Sequence, residues 1–269
     1  MNPFTLRRCV ALALLATSAV LMSGCGSAPD EFAGRTAERL YREARDDLEA
    51  GSFERAIRAL ERVEGLGAGS LLAQQAQIDL AFAHWRSGER AQALSTIDRF
   101  IRLNPSSPAL DYAMYLRGLI NFNDNLGLLG NLFGQDLSER DQRAARDAFA
   151  AFRQLVDQFP DSRYSEDARQ RMQYIVNALA NYEVHVARYY FRRGAYVAAV
   201  NRAQQAVAEF QQAPATEEAL AIIVQSYDRL ELPELRDAAA RVLSTNFPQS
   251  RFLRGGTIGV AERPWWKVW

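Results

Sequence analysis

The sequence predicts an all-α protein, an α-solenoid of about five stacked helical pairs, and three observations support this prediction. From Thr36 onward, apolar residues recur at steps of three and four with few β-branched runs, as they do in amphipathic helices. Gly51 and Gly88 lie 37 residues apart, a period typical of repeat proteins. Within the pairs, a constant spacing of 12 residues separates two small side chains: Ala44 and Ala56, Ala81 and Ala93, and Ala187 and Ala199.

The spacing of the small residues has a physical reason. Two antiparallel helices cross closely only where both facing side chains are small. A glycine between the helices provides the left-handed conformation that ends the first of them, and Gly51, Gly88 and Gly194 occupy that place. The period, the small residues and the turns together resemble tetratricopeptide repeats (TPR), whose helical pairs stack into a curved surface.

Residues 1–24 predict a lipoprotein signal peptide. Arg7 and Arg8 precede a short apolar run, which is the arrangement of a secretory signal, and the run is too short for a comfortable transmembrane span. The residues before Cys25, Leu-Met-Ser-Gly at 21–24, resemble a bacterial lipobox. We therefore expect an S-diacylglycerol and an N-acyl chain on Cys25, with no other cofactor. A plain signal peptide with an incidental cysteine is the alternative.

Lipidation of Cys25 predicts an anchor at the periplasmic face of the outer membrane. One acyl chain binds a bilayer only marginally, whereas two or three chains form a durable anchor. The next residue is Gly26, and because an Asp at that place tends to retain such lipoproteins in the inner membrane, the outer membrane is favoured. Residues 25–35 predict a short tether. Cys9 is lost with the signal, so a disulfide framework is excluded.

The third helical pair carries an insertion. Gly118, in a helix predicted at 110–122, pairs with Ala148, in a helix predicted at 145–159. Their spacing of 30 residues exceeds the usual 12 by 18, so residues 124–143 are predicted to form an insertion loop. This apolar, glycine-bearing loop needs a cover, and it either folds over the concave face of the repeats or meets a partner.

Beyond the insertion, residues 165–193 contain neither Gly nor Pro and predict one long helix, with Asn181 as the place for a bend. A helix at 196–210 completes the fourth pair. Helices at 216–230 and 233–245 form a fifth pair, which is degenerate, as expected of a repeat that caps the end of a solenoid.

The chain therefore divides into N-terminal repeats at 36–123, C-terminal repeats at 144–245 and a tail at 246–269. Tryptophan is concentrated in the tail, which holds three of the four in the chain. Their indoles are expected to bind the last repeat, a partner or the membrane interface. These residues are Trp265, Trp266 and Trp269.

No motif in the sequence predicts catalysis. His84 and His185 are the only histidines, and both are expected to be packing or surface residues. Clusters of His, Cys and carboxylates at metal-binding spacings are absent from the sequence. Without residues 1–24 the chain carries 30 basic and 32 acidic side chains, a net charge of −2 that argues against nucleic acid as a partner. We expect a binding protein and not an enzyme.

A stacked repeat offers a groove for an extended peptide or a partner's helix, and aromatic residues and Arg are the usual anchors in such grooves. The alternative for each of these aromatic residues is packing in the core. The candidates near the front of the solenoid are Tyr41, Phe82, Tyr112, Tyr115 and Arg117. Those further back are Tyr189, Arg193, Tyr196 and Arg202.

Three stretches resemble the BamD (ComL-like) family of lipoproteins. The first is residues 97–105 with its continuation at 111–119, the second is 132–141, and the third is 182–202. The resemblance covers about residues 22–245, and the tail departs from it.

The resemblance implies five repeats and a subunit of the outer-membrane β-barrel assembly machinery. In that family the front repeats would receive unfolded outer-membrane proteins. The rear repeats would bind the periplasmic domains of the barrel-forming subunit, with accessory lipoproteins alongside. By motif match, Tyr112, Tyr115 and Arg117 belong to the front groove and Arg202 to the rear contact region.

Two other functions stay open at this point. A lipid-anchored TPR protein could regulate a periplasmic cell-wall enzyme, and cross-linking would distinguish that partner from a β-barrel. An enzyme with unrecognised chemistry is the third possibility.

Overall fold

Ten α-helices and one short 3-10 helix account for most of the chain that the computed structural model describes, which is residues 31–67, 69–122, 142–256 and 258. No strand occurs within these residues. The predicted signal peptide with Cys25, nearly all of the insertion loop, and the three tail tryptophans lie outside them. The helices are α1 Ala37–Glu49, α2 Phe53–Leu66, α3 Leu71–Arg86, α4 Arg90–Leu103, α5 Leu110–Asn121, α6 Gln142–Gln158, α7 Ser165–Arg192, α8 Tyr196–Glu209, α9 Ala215–Arg229, α10 Pro233–Asn246 and the 3-10 helix Arg251–Arg254.

The predicted all-α class and the TPR type of helical pair are confirmed. From α5 onward, helix bounds agree with the sequence predictions to within one residue, except at α6. This helix begins at Gln142, inside the predicted insertion loop and three residues before the predicted Ala145. The reason is local, because Gln142, Arg143 and Ala144 are all good helix formers.

The described residues divide into two compact units, one up to Ala83 and the other from His84 onward. In the first unit, α1, α2 and the part of α3 up to Ala83 share one apolar core. Thr36 begins α1 as its N-cap, accepting a hydrogen bond from the Arg39 backbone N–H at 3.3 Å. The core residues are Phe32, Leu40, Ala44, Ile57, Ala59, Leu60, Val63, Ala76, Leu80 and Ala83.

The second unit has two apolar cores, and α7 contributes to both. The N-terminal half of α7 places Ala168 and Ile175 in a core shared with α5 and α6. Its C-terminal half places Val184 and Ala187 in a core shared with α8, α9 and Leu243 of α10. The prediction of a single long helix is thus confirmed: α7 runs for 28 residues, and no Gly or Pro interrupts it.

The small residues predicted at the helix crossings are buried. Ala44, Ala56, Ala81, Ala93, Ala148, Ala187 and Ala199 all have 0% exposure. The predicted glycine turns are also confirmed, since Gly51, Gly88 and Gly194 have φ of 76°, 87° and 76°.

Gly118 on α5 lies against the ring of Phe152 on α6. A Cβ at this position would come within 2.3 Å of a ring carbon, so only glycine fits without a shift of the ring.

As for membrane insertion, none of the helices within the described ranges is both long and apolar enough to cross a bilayer.

Candidate functional site

The predicted front residues divide between the two units. Tyr41 on α1 and Phe82 on α3 belong to the first unit, whereas Tyr112, Tyr115 and Arg117, all on α5, belong to the second.

Tyr41 is half-buried and its hydroxyl has an internal partner. It donates to Asp79 Oδ2 on α3 at 2.7 Å. Gln75 Nε2 donates to Asp79 Oδ1 at 3.3 Å, and Arg45 Nη1 lies 3.6 Å from Oδ2. Burial, followed by the hydrogen bond to Asp79, raises the pKa of Tyr41. The hydroxyl therefore links α1 to α3, and Phe82 lies half-buried one turn beyond Asp79.

An aromatic cluster forms where α5 meets the segment before α7. Its members, Tyr112, Tyr115 and Tyr164, are here named the tyrosine cluster. Tyr115 stacks on Tyr164 with ring centroids 4.9 Å apart, and Tyr112 packs against Tyr164 at 5.3 Å. The Arg163 guanidinium lies 4.7 Å from the centroid of Tyr164, a distance suited to a cation–π contact. All three tyrosines are half-buried, so part of each ring faces solvent.

A chain of polar contacts fixes this cluster to α7. The Tyr115 hydroxyl donates to Asp167 Oδ2 at 2.6 Å, and Arg171 Nε donates to the same oxygen at 2.6 Å. Burial, then the hydrogen bond to Asp167, raises the pKa of Tyr115 to about 12. Burial opposes ionisation of Asp167, but the hydrogen bonds from Tyr115 and Arg171 outweigh it and lower the pKa of this carboxyl.

The Tyr115 contact leads to a pH-dependent prediction. Tyr115→Phe removes the hydroxyl and should lower the free energy of unfolding by about 1 kcal/mol at pH 8. In the wild type the folded-state pKa of Tyr115, about 12, exceeds the value near 10 of an unfolded chain. The unfolded state therefore loses this proton first as pH rises. The contribution of the Tyr115 hydroxyl to the free energy of unfolding is complete below pH 10 and is lost between pH 10 and 12.

Urea denaturation at pH 8 and at pH 11 measures this effect. The difference between wild type and Tyr115→Phe should be smaller at the higher pH. The control is Tyr189→Phe, which changes an exposed tyrosine outside the cluster. An equal difference at both pH values would contradict the assigned hydrogen bond.

Arg117 connects two helices. Its Nε lies 2.8 Å from Asp98 Oδ1 on α4, and both side chains are 35% exposed. This ion pair leaves the guanidinium near the surface, so Arg117 both joins α4 to α5 and presents charge to solvent.

Arg202, a predicted rear residue, holds a buried carboxylate. Glu183 on α7 is 3% exposed, and Arg202 Nη1 on α8 donates to its Oε2 at 3.2 Å. The Arg202 side chain is 44% exposed. The Arg202 side chain therefore joins α8 to α7 through Glu183, and the rest of it is accessible to solvent.

Tyr189 and Arg193 form an exposed pair at the end of α7. The Arg193 guanidinium lies 5.3 Å from the ring centroid of Tyr189, and Tyr189 is 47% exposed. Tyr196 is less accessible because it packs edge-on against Phe191 at 5.5 Å. Val197 on α8 is 62% exposed. The term rear patch is used below for Tyr189, Arg193 and Val197.

Sequence reasoning missed three of these residues. Tyr164 follows the turn at Pro160, and its aromatic side chain could have indicated a candidate contact residue. Glu183 had no signal, because an acidic residue on a long helix is ordinarily exposed. Val197 had none either, since a Val near the start of a helix is usually packed.

His84 pairs with a carboxylate next to the turn after α3. His84 is buried at the end of α3, with Nδ1 2.5 Å from Glu89 Oε2. Among the residues that the structure describes, no group of three or more His, Cys, Asp or Glu could hold a metal ion.

Comparisons with known proteins cover most of the chain. A model of the YfiO family, described as outer membrane lipoprotein, matches residues 34–252. The outer membrane protein assembly factor BamD of Neisseria meningitidis serogroup B (strain ATCC BAA-335 / MC58) is 45% identical over 232 residues, which are 86% of each chain. The protein of the same name from Vibrio cholerae serotype O1 is 34% identical over 233 residues, 87% of this chain and 96% of that one. Among solved structures, PilW, a type IV pilus biogenesis factor, aligns with 12% identity and a TM-score of 0.37, over 83% of this chain and 99% of that chain.

Proposed function

The chain belongs to the YfiO family of outer membrane lipoproteins, and from this premise we propose that it is a lipid-anchored scaffold for assembly of outer-membrane β-barrels. The observation that carries the proposal is the match to proteins named outer membrane protein assembly factor BamD over most of both chains. In this role the protein binds unfolded outer-membrane proteins and the periplasmic domains of the barrel-forming subunit, with accessory lipoproteins alongside. Its work is binding and positioning, without catalysis.

The tyrosine cluster suits an unfolded β-barrel strand. Such strands alternate apolar and polar side chains and arrive with their backbone groups unpaired. Half-exposed aromatic rings offer apolar faces for the alternate side chains. Beside the cluster, Arg163 lies over the Tyr164 ring and Asp111 accepts hydrogen bonds from Ser162 and the Tyr112 N–H, so both place charge next to the polar groups of such a strand. The cluster is rigid before binding, because Asp167 and Arg171 fix Tyr115, and this lowers the entropy cost of recognition.

The rear patch suits a folded partner. Tyr and Arg are the residue types that most often dominate the energy of protein interfaces. Tyr189 and Arg193 already contact each other, so little side-chain freedom is lost when a partner covers them. Arg202 lies on the adjacent helix α8, where it pairs with Glu183 and keeps 44% of its side chain exposed.

Arg202 provides the test of the partner contact. We expect Arg202→Glu to reduce recovery of the barrel-forming subunit in co-purification by about tenfold, equivalent to about 1.4 kcal/mol of binding free energy. This substitution also places a second carboxylate beside buried Glu183, so part of the loss could reflect instability of the α7–α8 pair.

A double variant separates the two effects. Arg202→Met with Glu183→Leu removes the charge without leaving an unpaired buried carboxylate, so its free energy of unfolding should stay close to that of the wild type. Arg153→Glu, on the exposed side of α6, is the control for a charge change elsewhere. If the double variant recovers wild-type amounts of the subunit, Arg202 does not contact it. If cross-linking in cells captures a peptidoglycan synthase or hydrolase in place of a β-barrel protein, the proposed function is wrong.

A further inference from the structure

One flank of α10 carries two apolar side chains that the described residues leave exposed. Leu243 is the only buried residue of this 14-residue helix. Leu235 and Val242 are 47% and 45% exposed. They are seven residues apart, so they lie on one face of the helix, two turns from each other. Half-buried Ala238 lies between them, whereas Ala239 packs on the core that contains Leu243.

A pocket opens beside this face, between α8, α9 and α10. Its volume is about 400 Å³, enough for an indole ring. Its wall is mixed, because four apolar and three polar side chains line it, and the polar ones offer acceptors for an indole N–H. The lining residues are Val207, Gln211, Thr216, Leu220, Val242, Asn246 and Phe247.

The end of the chain passes close to this pocket. The Gly256 carbonyl accepts a hydrogen bond from Gln225 Nε2 on α9 at 3.3 Å, and Ile258 packs on the same core as Leu220. Leu220 lines the pocket and precedes Gln225 by five residues, which is about 7.5 Å along the helix axis. The 11 residues from 259 to 269 can span about 36 Å when extended, so they reach the pocket and the α10 face with length to spare.

We propose that the last six residues of this chain, Pro264 to Trp269, bind back onto this surface and cap the fifth helical pair. One of the three indoles enters the pocket and the other two cover the Leu235–Val242 face. The occupant is the chain's own end because a short tether gives it an effective concentration of about millimolar, which a separate partner seldom reaches. The fifth pair is the last one within the described residues, and a terminal repeat is stabilised by a cover on its end.

Tryptophan fluorescence tests this proposal on the full-length mature protein in detergent, without partners. Trp85→Phe leaves the three tail tryptophans as the only emitters. We expect the emission of this variant to be shifted to the blue relative to indole in water. Adding Val242→Lys should shift the emission to the red and increase its quenching by acrylamide about threefold. Leu103→Lys is the matched control, because Leu103 is 67% exposed at the C-terminal end of another helix. It should leave both quantities unchanged.

Three outcomes would overturn the proposal. The first is emission typical of water-exposed indole in the folded protein. The second is an equal response to Val242→Lys and Leu103→Lys. The third is a blue shift that appears only with added phospholipid vesicles, or only as protein concentration rises, which would assign the tail to a membrane or to a second copy.

If Trp85→Phe prevents folding, ending the chain at Ile258 in otherwise wild-type protein should lower the thermal midpoint, and an unchanged midpoint contradicts the proposal. The proposed assembly function is not involved in any of these measurements.

Discussion

Gly118→Leu should lower the free energy of unfolding by about 3 kcal/mol, the upper end of the usual cost of overpacking a core. A Cβ at this position would lie 2.3, 2.5 and 2.8 Å from three ring carbons of Phe152. Phe152 cannot easily move, because it is fully buried and its ring contacts Tyr115 and Phe122 at centroid distances of 6.0 and 6.1 Å. The added side chain must therefore separate α5 from α6 or displace three rings.

Urea denaturation followed by circular dichroism measures the loss, and a double variant identifies its cause. Phe152→Ala alone leaves a cavity and should cost about 3–5 kcal/mol. Combined with Gly118→Leu, it should cost less than the sum of the two, because the leucine occupies the vacated space. Gly65→Leu is the control. Gly65 lies in α2, and a Cβ added there would have no neighbouring atom within 4 Å, so the same substitution should there be neutral or slightly stabilising. Additive costs in the double variant would show that the close crossing at Gly118 is not the cause.

Removing the lipid from Cys25 should transfer almost all of the protein from carbonate-washed membranes to the soluble fraction. The lipid is the only anchor we propose, and two or three acyl chains are needed for durable binding. Cys25→Ala alone is ambiguous, because an uncleaved signal peptide would itself hold the protein in a membrane. The sharper variant joins residues 26–269 to the signal peptide of a soluble periplasmic protein.

The matched control joins an unrelated lipoprotein signal to residues 25–269, and it should remain in the membrane fraction. Carbonate washing matters, since the unlipidated protein would otherwise be retained through its partners. Persistence of the unlipidated protein in washed outer membranes would contradict anchoring through Cys25. Mass spectrometry of the N-terminal peptide would show directly whether the acyl chains are present.

Sequence reasoning located the helices well because their signals are local. The small residues at the crossings and the glycines with positive φ mark three of the pairs within a few dozen residues, and a run without Gly or Pro predicts α7. Contacts between distant residues had no such signal. The Tyr115–Asp167 bond joins residues 52 apart, and its formation depends on how α5, α6 and α7 pack.

For the binding residues, periodicity indicated a face but not the accessibility of each side chain. Tyr41 and Tyr115 were predicted as groove residues, and both hydroxyls turn out to be used between helices. Arg202 is predicted by motif match as a rear contact residue, and in the structure its guanidinium also pairs with buried Glu183. Tyr189 and Arg193 resemble the expected exposed pair, since they lie one turn apart at the end of a helix.

The continuity of α7 has a mechanical consequence. Asp167, which fixes the tyrosine cluster, and Tyr189, in the rear patch, stand on the same helix about 33 Å apart along its axis. The helix is continuous between them and contains no Gly or Pro there. If the proposed polypeptide substrate tilts the helix at the tyrosine cluster, the rear patch proposed for the second partner would be displaced at the other end.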